Sequence, residues 1–150
     1  MNSSLKIVFI LLSQIMFAQE NIIIETPFSK GIIFGENSIA KGSGEFIADK
    51  KEIIAFENTL QKVIKEINAG DTLYLPKHIL KIDFSNYYRG YIGMDSDRKK
   101  RILVIFIPKE KVENFNDSIT WDQLYETSNR FNMSYFLDDD KVFFPVKCEN

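Results

Sequence analysis

Between residues 50 and 69 the apolar positions recur at helical spacing. Ile53, Phe56, Leu60, Val63, Ile64 and Ile67 form one stripe. Asp49 stands where an N-cap belongs, Glu52 completes an Asp-x-x-Glu capping box, and Gly70 supplies a left-handed stop. The pattern predicts a helix over 50–69, with Lys51, Glu57, Lys62, Lys65 and Glu66 mostly on its polar side. Its apolar stripe calls for a sheet of the same chain to lie on.

The rest of the chain alternates at shorter period. Ile22-Ile-Ile24 and Ile32-Ile-Phe34 are short apolar runs bounded by Pro27, Gly31 and Gly35. Gly42-Ser43-Gly44 marks a turn before the helix. These runs predict a β-hairpin or an arm laid on the domain. From Phe84 onward lie 13 of the 20 aromatic residues, with Val and Ile between them, which is strand composition. Strands are predicted near 73–75, 79–84, 87–94, 101–107, 133–137 and 142–147. Polar turns are predicted at 95–100 and 138–140, and a short helix where Thr120 and Gln123 form a cap before Leu124. Short turns between strands and a single long helix predict the α+β class, with the helix packed on an antiparallel β-sheet.

The first 18 residues belong to a different problem. Lys6 precedes an apolar run of about 11 residues, and Ala18 is followed by Gln19-Glu20; this is the anatomy of a secretory signal peptide. The run is about half the length that a membrane span needs. The organisation read from the sequence is therefore a signal peptide at 1–18, an N-terminal β arm at 19–48 and one α+β domain at 49–150. Export to the periplasm or the outside of the cell follows, with no membrane attachment after cleavage.

Composition narrows the chemistry. The chain has 150 residues, a net charge of -2, one His and one Cys. No His/Cys metal cage or intrachain disulfide can be built from that, so no metal and no cofactor is expected. Cys148 is left for an intermolecular bridge, and a Cys148-linked dimer is one expectation. His78 is the sole imidazole. No Gly-x-Ser-x-Gly elbow or His-Glu-x-x-His pair accompanies it, which argues against catalysis. Arg98-Lys-Lys-Arg101 follows Asp95 and Asp97 and reads as a hairpin tip, not a nucleic-acid site. Asp138-Asp-Asp140 lacks the spaced oxygen ligands and the Gly of a calcium loop.

The most distinctive stretch is Tyr87-Tyr88-Arg89-Gly90-Tyr91-Ile92-Gly93. In a strand Tyr87, Arg89, Tyr91 and Gly93 share one face. A cation between two phenols on an open face would bind an anion, a sugar or an aromatic partner. Tyr87, Arg89 and Tyr91 are the candidate binding residues. The competing reading has Arg89 stacking on the two rings to cover the sheet. Gly90 and Gly93 mark a bulge or a close approach by another element, with the helix as the candidate.

At this stretch the sequence resembles a diffuse set of small exported bacterial proteins of unknown function. In these a patterned helix, here Glu52 to Glu57, precedes a Tyr-x-Arg-x-Tyr-x-Gly strand. A lysine-rich turn and an Ile/Val-rich strand follow, here Lys99 to Ile107, and then Tyr135-Phe136 with Phe143-Phe144. The resemblance covers residues 49–148, departs at Gly90, where Gln is usual, and implies no activity. The helix followed by an antiparallel meander also resembles the cystatin-like architecture. The Gln-x-Val-x-Gly hairpin of inhibitory cystatins is absent, so protease inhibition does not follow.

The leading functional expectation is an exported binding protein without catalysis, its ligand or protein partner unknown. The first alternative is an inhibitor or immunity-type protein that blocks an enzyme through loops such as 108–120. The second is a small hydrolase working through paired carboxylates.

Overall fold

The computed structural model describes residues 21–35, 46–70, 79–96, 99–120, 122–124 and 132–144. The signal-peptide segment, the strand expected at 73–75, His78, Trp121 and Cys148 lie outside them. The described residues form an α+β fold. One long helix, α1 (Lys50–Ala69), lies on a six-stranded sheet of β1 (Ile22–Glu25), β2 (Lys30–Ile33), β3 (Tyr87–Ser96), β4 (Lys99–Pro108), β5 (Asn132–Phe136) and β6 (Lys141–Phe143). Among the described residues no helix is long and apolar enough to cross a membrane.

The helix begins and ends as its sequence predicts. The Asp49 carboxylate accepts from the Lys51 and Glu52 backbone N–H groups, and the Asp49 N–H donates back to Glu52 Oε2 at 2.7 Å. Two of the four orphan donors of the first turn are thereby satisfied. Gly70 closes the helix at φ 82°, where a side chain would strain the backbone.

The strands lie in the sheet in chain order, β1 to β6. The sheet is mixed, not wholly antiparallel. β1 and β2 form the hairpin, and β2 then pairs parallel to β3 through Gly31–Arg89, Ile32–Gly90 and Ile33–Tyr91. A chain that leaves β2, passes through a helix of 20 residues and returns has the length a parallel crossover requires. The N-terminal run is thus an integral edge of the sheet. β3 to β6 form the expected antiparallel meander.

The segment expected as a strand at 79–84 is instead two short 3-10 turns, Ile79–Lys81 and Phe84–Asn86. Asp83 decides this: its carboxylate takes the Ser85 N–H at 3.0 Å, the Ser85 hydroxyl and the Asn86 amide, which fixes a capped turn in place of an extended ladder. Further on, Thr120 and Gln123 cap each other across a helical turn at 122–124, as predicted.

Both faces of the sheet are covered. Ile102, Val104 and Phe106 of β4 face α1 with Phe56, Leu60, Met133 and Tyr135. Ile105 and Ile107 face a second layer of Ile32, Phe34, Ile92, Phe115, Ile119 and Leu124. Two buried faces explain why β4 reads as an unbroken apolar run. Phe115 anchors the second layer by stacking on Tyr88, centroids 4.2 Å apart and 18° from parallel. Asn21 ties the N-terminal end of the described hairpin to this layer through the Asp117 and Ile119 carbonyls.

Candidate functional site

The period of β3 places Tyr87, Arg89, Tyr91 and Gly93 on one face, as predicted, and that face meets α1. The expectation of an open aromatic and basic face is corrected here. Arg89 is 1% exposed and Tyr91 is fully buried, while Tyr87 is half-buried. The reason is on the helix. Glu57 lies four residues after Ile53 and three before Leu60, on the apolar stripe and not on the polar side to which it was assigned. It is fully buried.

Glu57, Arg89 and Tyr91 meet between helix and sheet. The Tyr91 hydroxyl donates to Glu57 Oε1 at 2.8 Å, and Arg89 Nε stands 3.4 Å from the same oxygen. Arg89 Nη1 donates to the Tyr87 carbonyl at 2.8 Å and Nη2 to the Phe84 carbonyl at 3.0 Å. The guanidinium carbon lies 4.5 Å from the centre of the Phe106 ring. The cation is thus held by a carboxylate, two carbonyls and a ring face. Arg89 Nε and Glu57 Oε2 make no hydrogen bond among the described residues, so their contact is one of charge, not of aligned hydrogen bonding.

Burial sets the titration of this cluster. Loss of solvent lowers the Arg89 pKa, and the Glu57 charge opposes that. Burial, and then the Glu57 charge, raise the Tyr91 pKa well above its usual value, so the phenol stays protonated.

Arg89 also reaches outward. The Phe84 carbonyl it holds belongs to the second 3-10 turn, and that turn forms one wall of a cleft of about 570 Å³. Ile64, Gln61 and Asn68 of α1 form the opposite wall, Phe28 of the β1–β2 turn closes one side, and Arg89 lies on the floor. Leu80, Lys81, Ile82, Asp83 and Ser85 complete the near wall. A second cleft of about 500 Å³ lies across Lys81–Asp83, against Tyr87, Pro108, Lys109 and Glu110. Sequence reasoning found Arg89 but missed its setting. The available signal was Glu57, a carboxylate at helical register with Ile53, Leu60 and Ile64.

The other sequence candidates are structural where they are described. Lys99 pairs with exposed Asp139 at 3.6 Å, and Lys100 stands 5.3 Å from the Phe46 ring centre, so this part of the basic tip lies against its own chain. Asp140, at φ 47°, accepts from Thr59 of α1 and from Tyr135, each at 2.8 Å. Those two hydrogen bonds hold its carboxyl below the usual range. Gly93 does mark a close approach, by Phe46 and not by the helix. A Cβ there would run into the Phe46 carbonyl. Among the described residues no group of three or more potential ligand side chains is placed to hold a metal. No family model, no curated protein and no solved structure matches this chain.

Proposed function

We propose that this chain is an exported, non-catalytic binding protein, and that its ligand enters the cleft between α1 and the 79–86 turns. The observation that carries this reading is the cleft's construction: a buried arginine on the floor, with apolar side chains such as Ile64, Leu80 and Ile82 interleaved with polar ones such as Gln61, Asn68 and Ser85 around it. A concavity in which polar groups converge beside apolar side chains gives a small molecule both orientation and apolar contact. The helix laid on the β3–β6 meander supplies the rigid wall. Asp83 speaks against hydrolysis in the same place. Hydrogen bonds from the Ser85 hydroxyl and N–H hold its carboxyl below the usual value, the opposite of what a proton-donating acid needs.

A fragment library titrated into isotope-labelled protein tests this. Amide shifts should cluster at Gln61, Asn68, Lys81 and Ser85. Asn68→Trp, on an exposed position at the mouth, should abolish them while leaving the melting temperature unchanged. Shifts confined to other surfaces would overturn the reading. Export is tested separately by intact mass, with Gln19 as the expected N-terminus.

A second reading, an inhibitor or immunity-type protein, is favoured by one observation. The 112–120 segment is pinned to the sheet by Phe115 and Ile119 while its neighbours at 116–118 are exposed, which presents a fixed loop to a partner enzyme. Co-purification of an enzyme in equal amount, lost on changing residues 116–118, tests it.

A further inference from the structure

The geometry points to a ligand class: we infer that the cleft takes a small organic monocarboxylate, its carboxylate on Arg89 and its apolar body between Phe28, Ile64, Leu80 and Ile82. This rests on the reading of the cleft as the ligand site and goes further by naming the chemistry.

The guanidinium has five N–H donors, and the described hydrogen bonds to the Tyr87 and Phe84 carbonyls use two of them. Nε faces Glu57 Oε1 at 3.4 Å, which leaves the second N–H of Nη1 and of Nη2 unspent. A cation that is 1% exposed and still owns unspent donors favours an incoming oxygen acceptor, and an ionised acceptor most of all. Glu57 does not line the cleft, so a ligand anion approaches Arg89 without meeting that carboxylate in the cleft wall. Asp83 is on the rim, but both of its oxygens already accept from Ser85 and Asn86. Lys81, exposed on the same rim, adds a second positive charge.

Charge also sets the upper limit. Glu57 already balances Arg89, so the floor offers one guanidinium with spare donors and little excess charge. That suits one carboxylate. A doubly charged phosphate would need more cations than Lys81 supplies. Phe28, Ile64, Leu80 and Ile82 call for a hydrocarbon or aromatic body, which free inorganic anions lack.

The test compares 3-phenylpropanoate with 3-phenylpropanamide, which share shape and differ in charge. Both are titrated into the labelled protein while the cleft amides and the Arg89 Nε–H signal are followed. The carboxylate should bind about tenfold more tightly than the amide and move the Nε–H signal, in line with the greater strength of a charge-assisted hydrogen bond. The preference should shrink as salt is raised. Equal binding of both probes in the cleft would overturn the carboxylate assignment and leave the cleft reading standing. So would failure of both probes where other fragments do enter. A fragment set that never reaches the cleft removes both. Tighter binding of phenyl phosphate than of the carboxylate also overturns the assignment.

Discussion

Replacing Glu57 with Leu leaves the Arg89 cation in the core without its counter-charge. The residues are 0% and 1% exposed, so water cannot take the place of the lost carboxylate. Breaking a buried pair from one side costs about 3–5 kcal/mol. Two carbonyls and the Phe106 ring still hold Arg89, which puts Glu57→Leu at about 3 kcal/mol, the lower end of that range. Arg89→Met is worse, at about 4–5 kcal/mol, because Glu57 keeps only the Tyr91 hydroxyl and two backbone carbonyls lose their donor. The double variant removes both charges and substitutes apolar side chains. It should lie within about 2 kcal/mol of the natural protein, a coupling of about 5 kcal/mol between the sites. Urea unfolding followed by circular dichroism reads all four corners of the cycle. In heat, Glu57→Leu should lower the melting temperature by about 10 °C. Single losses that simply add in the double variant would refute the argument, because they would mean that the two charges do not sustain each other.

Three further predictions concern other parts of the fold. Gly93→Ala should cost roughly 1–3 kcal/mol in urea unfolding, because the new methyl meets the Phe46 backbone, which cannot rotate away as a side chain could; an unchanged midpoint would show that the segment at residue 46 is not tightly held. Asp49→Ala removes the acceptor for two N–H groups and should cost about 1 kcal/mol, read in the same assay, while Asp49→Asn should recover most of it. Tyr135 carries a pH signature. Burial, and then its hydrogen bond to Asp140, push its hydroxyl up to about 12 from 10.0, so the folded state favours the protonated phenol. That contribution is complete below pH 10 and is lost as pH rises towards 12. Tyr135→Phe should therefore flatten the alkaline limb of a stability-against-pH curve, and an unchanged slope counts against the assignment.

What the sequence made legible follows from range. The helix rests on local signals, Asp49, Glu52, Gly70 and the apolar stripe, and all of them act within a few residues. The face shared by Tyr87, Arg89 and Tyr91 was equally legible, since strand period fixes it. Which side of the sheet that face meets was not, because period divides a strand into two faces without saying which one the helix covers. Glu57 held the answer, and its charge concealed it. Residues 79–84 misled for a related reason. Ile82 and Phe84 alternate as a strand would, but the hydrogen bonds of Asp83 outweigh that weak pattern. The parallel pairing of β2 with β3 depends on residues far apart in the chain, and no local signal reports it.

That pairing has a consequence for how the molecule is assembled. Its three rungs join residues 58 positions apart (89 − 31), whereas the pairing of β3 with β4 begins at Ser96 and Lys99, three positions apart. Closing a loop of that length costs roughly 3–4 kcal/mol of chain entropy before any rung is gained. The meander from β3 onward meets only short-range costs and is the natural place for folding to begin, with the N-terminal hairpin added afterwards. Synthesis runs the other way: the hairpin is made first and docks last. Between those moments β2 is an open edge with Gly31-Ile-Ile33 uncovered, the interval in which strand exchange with another chain competes with self-assembly.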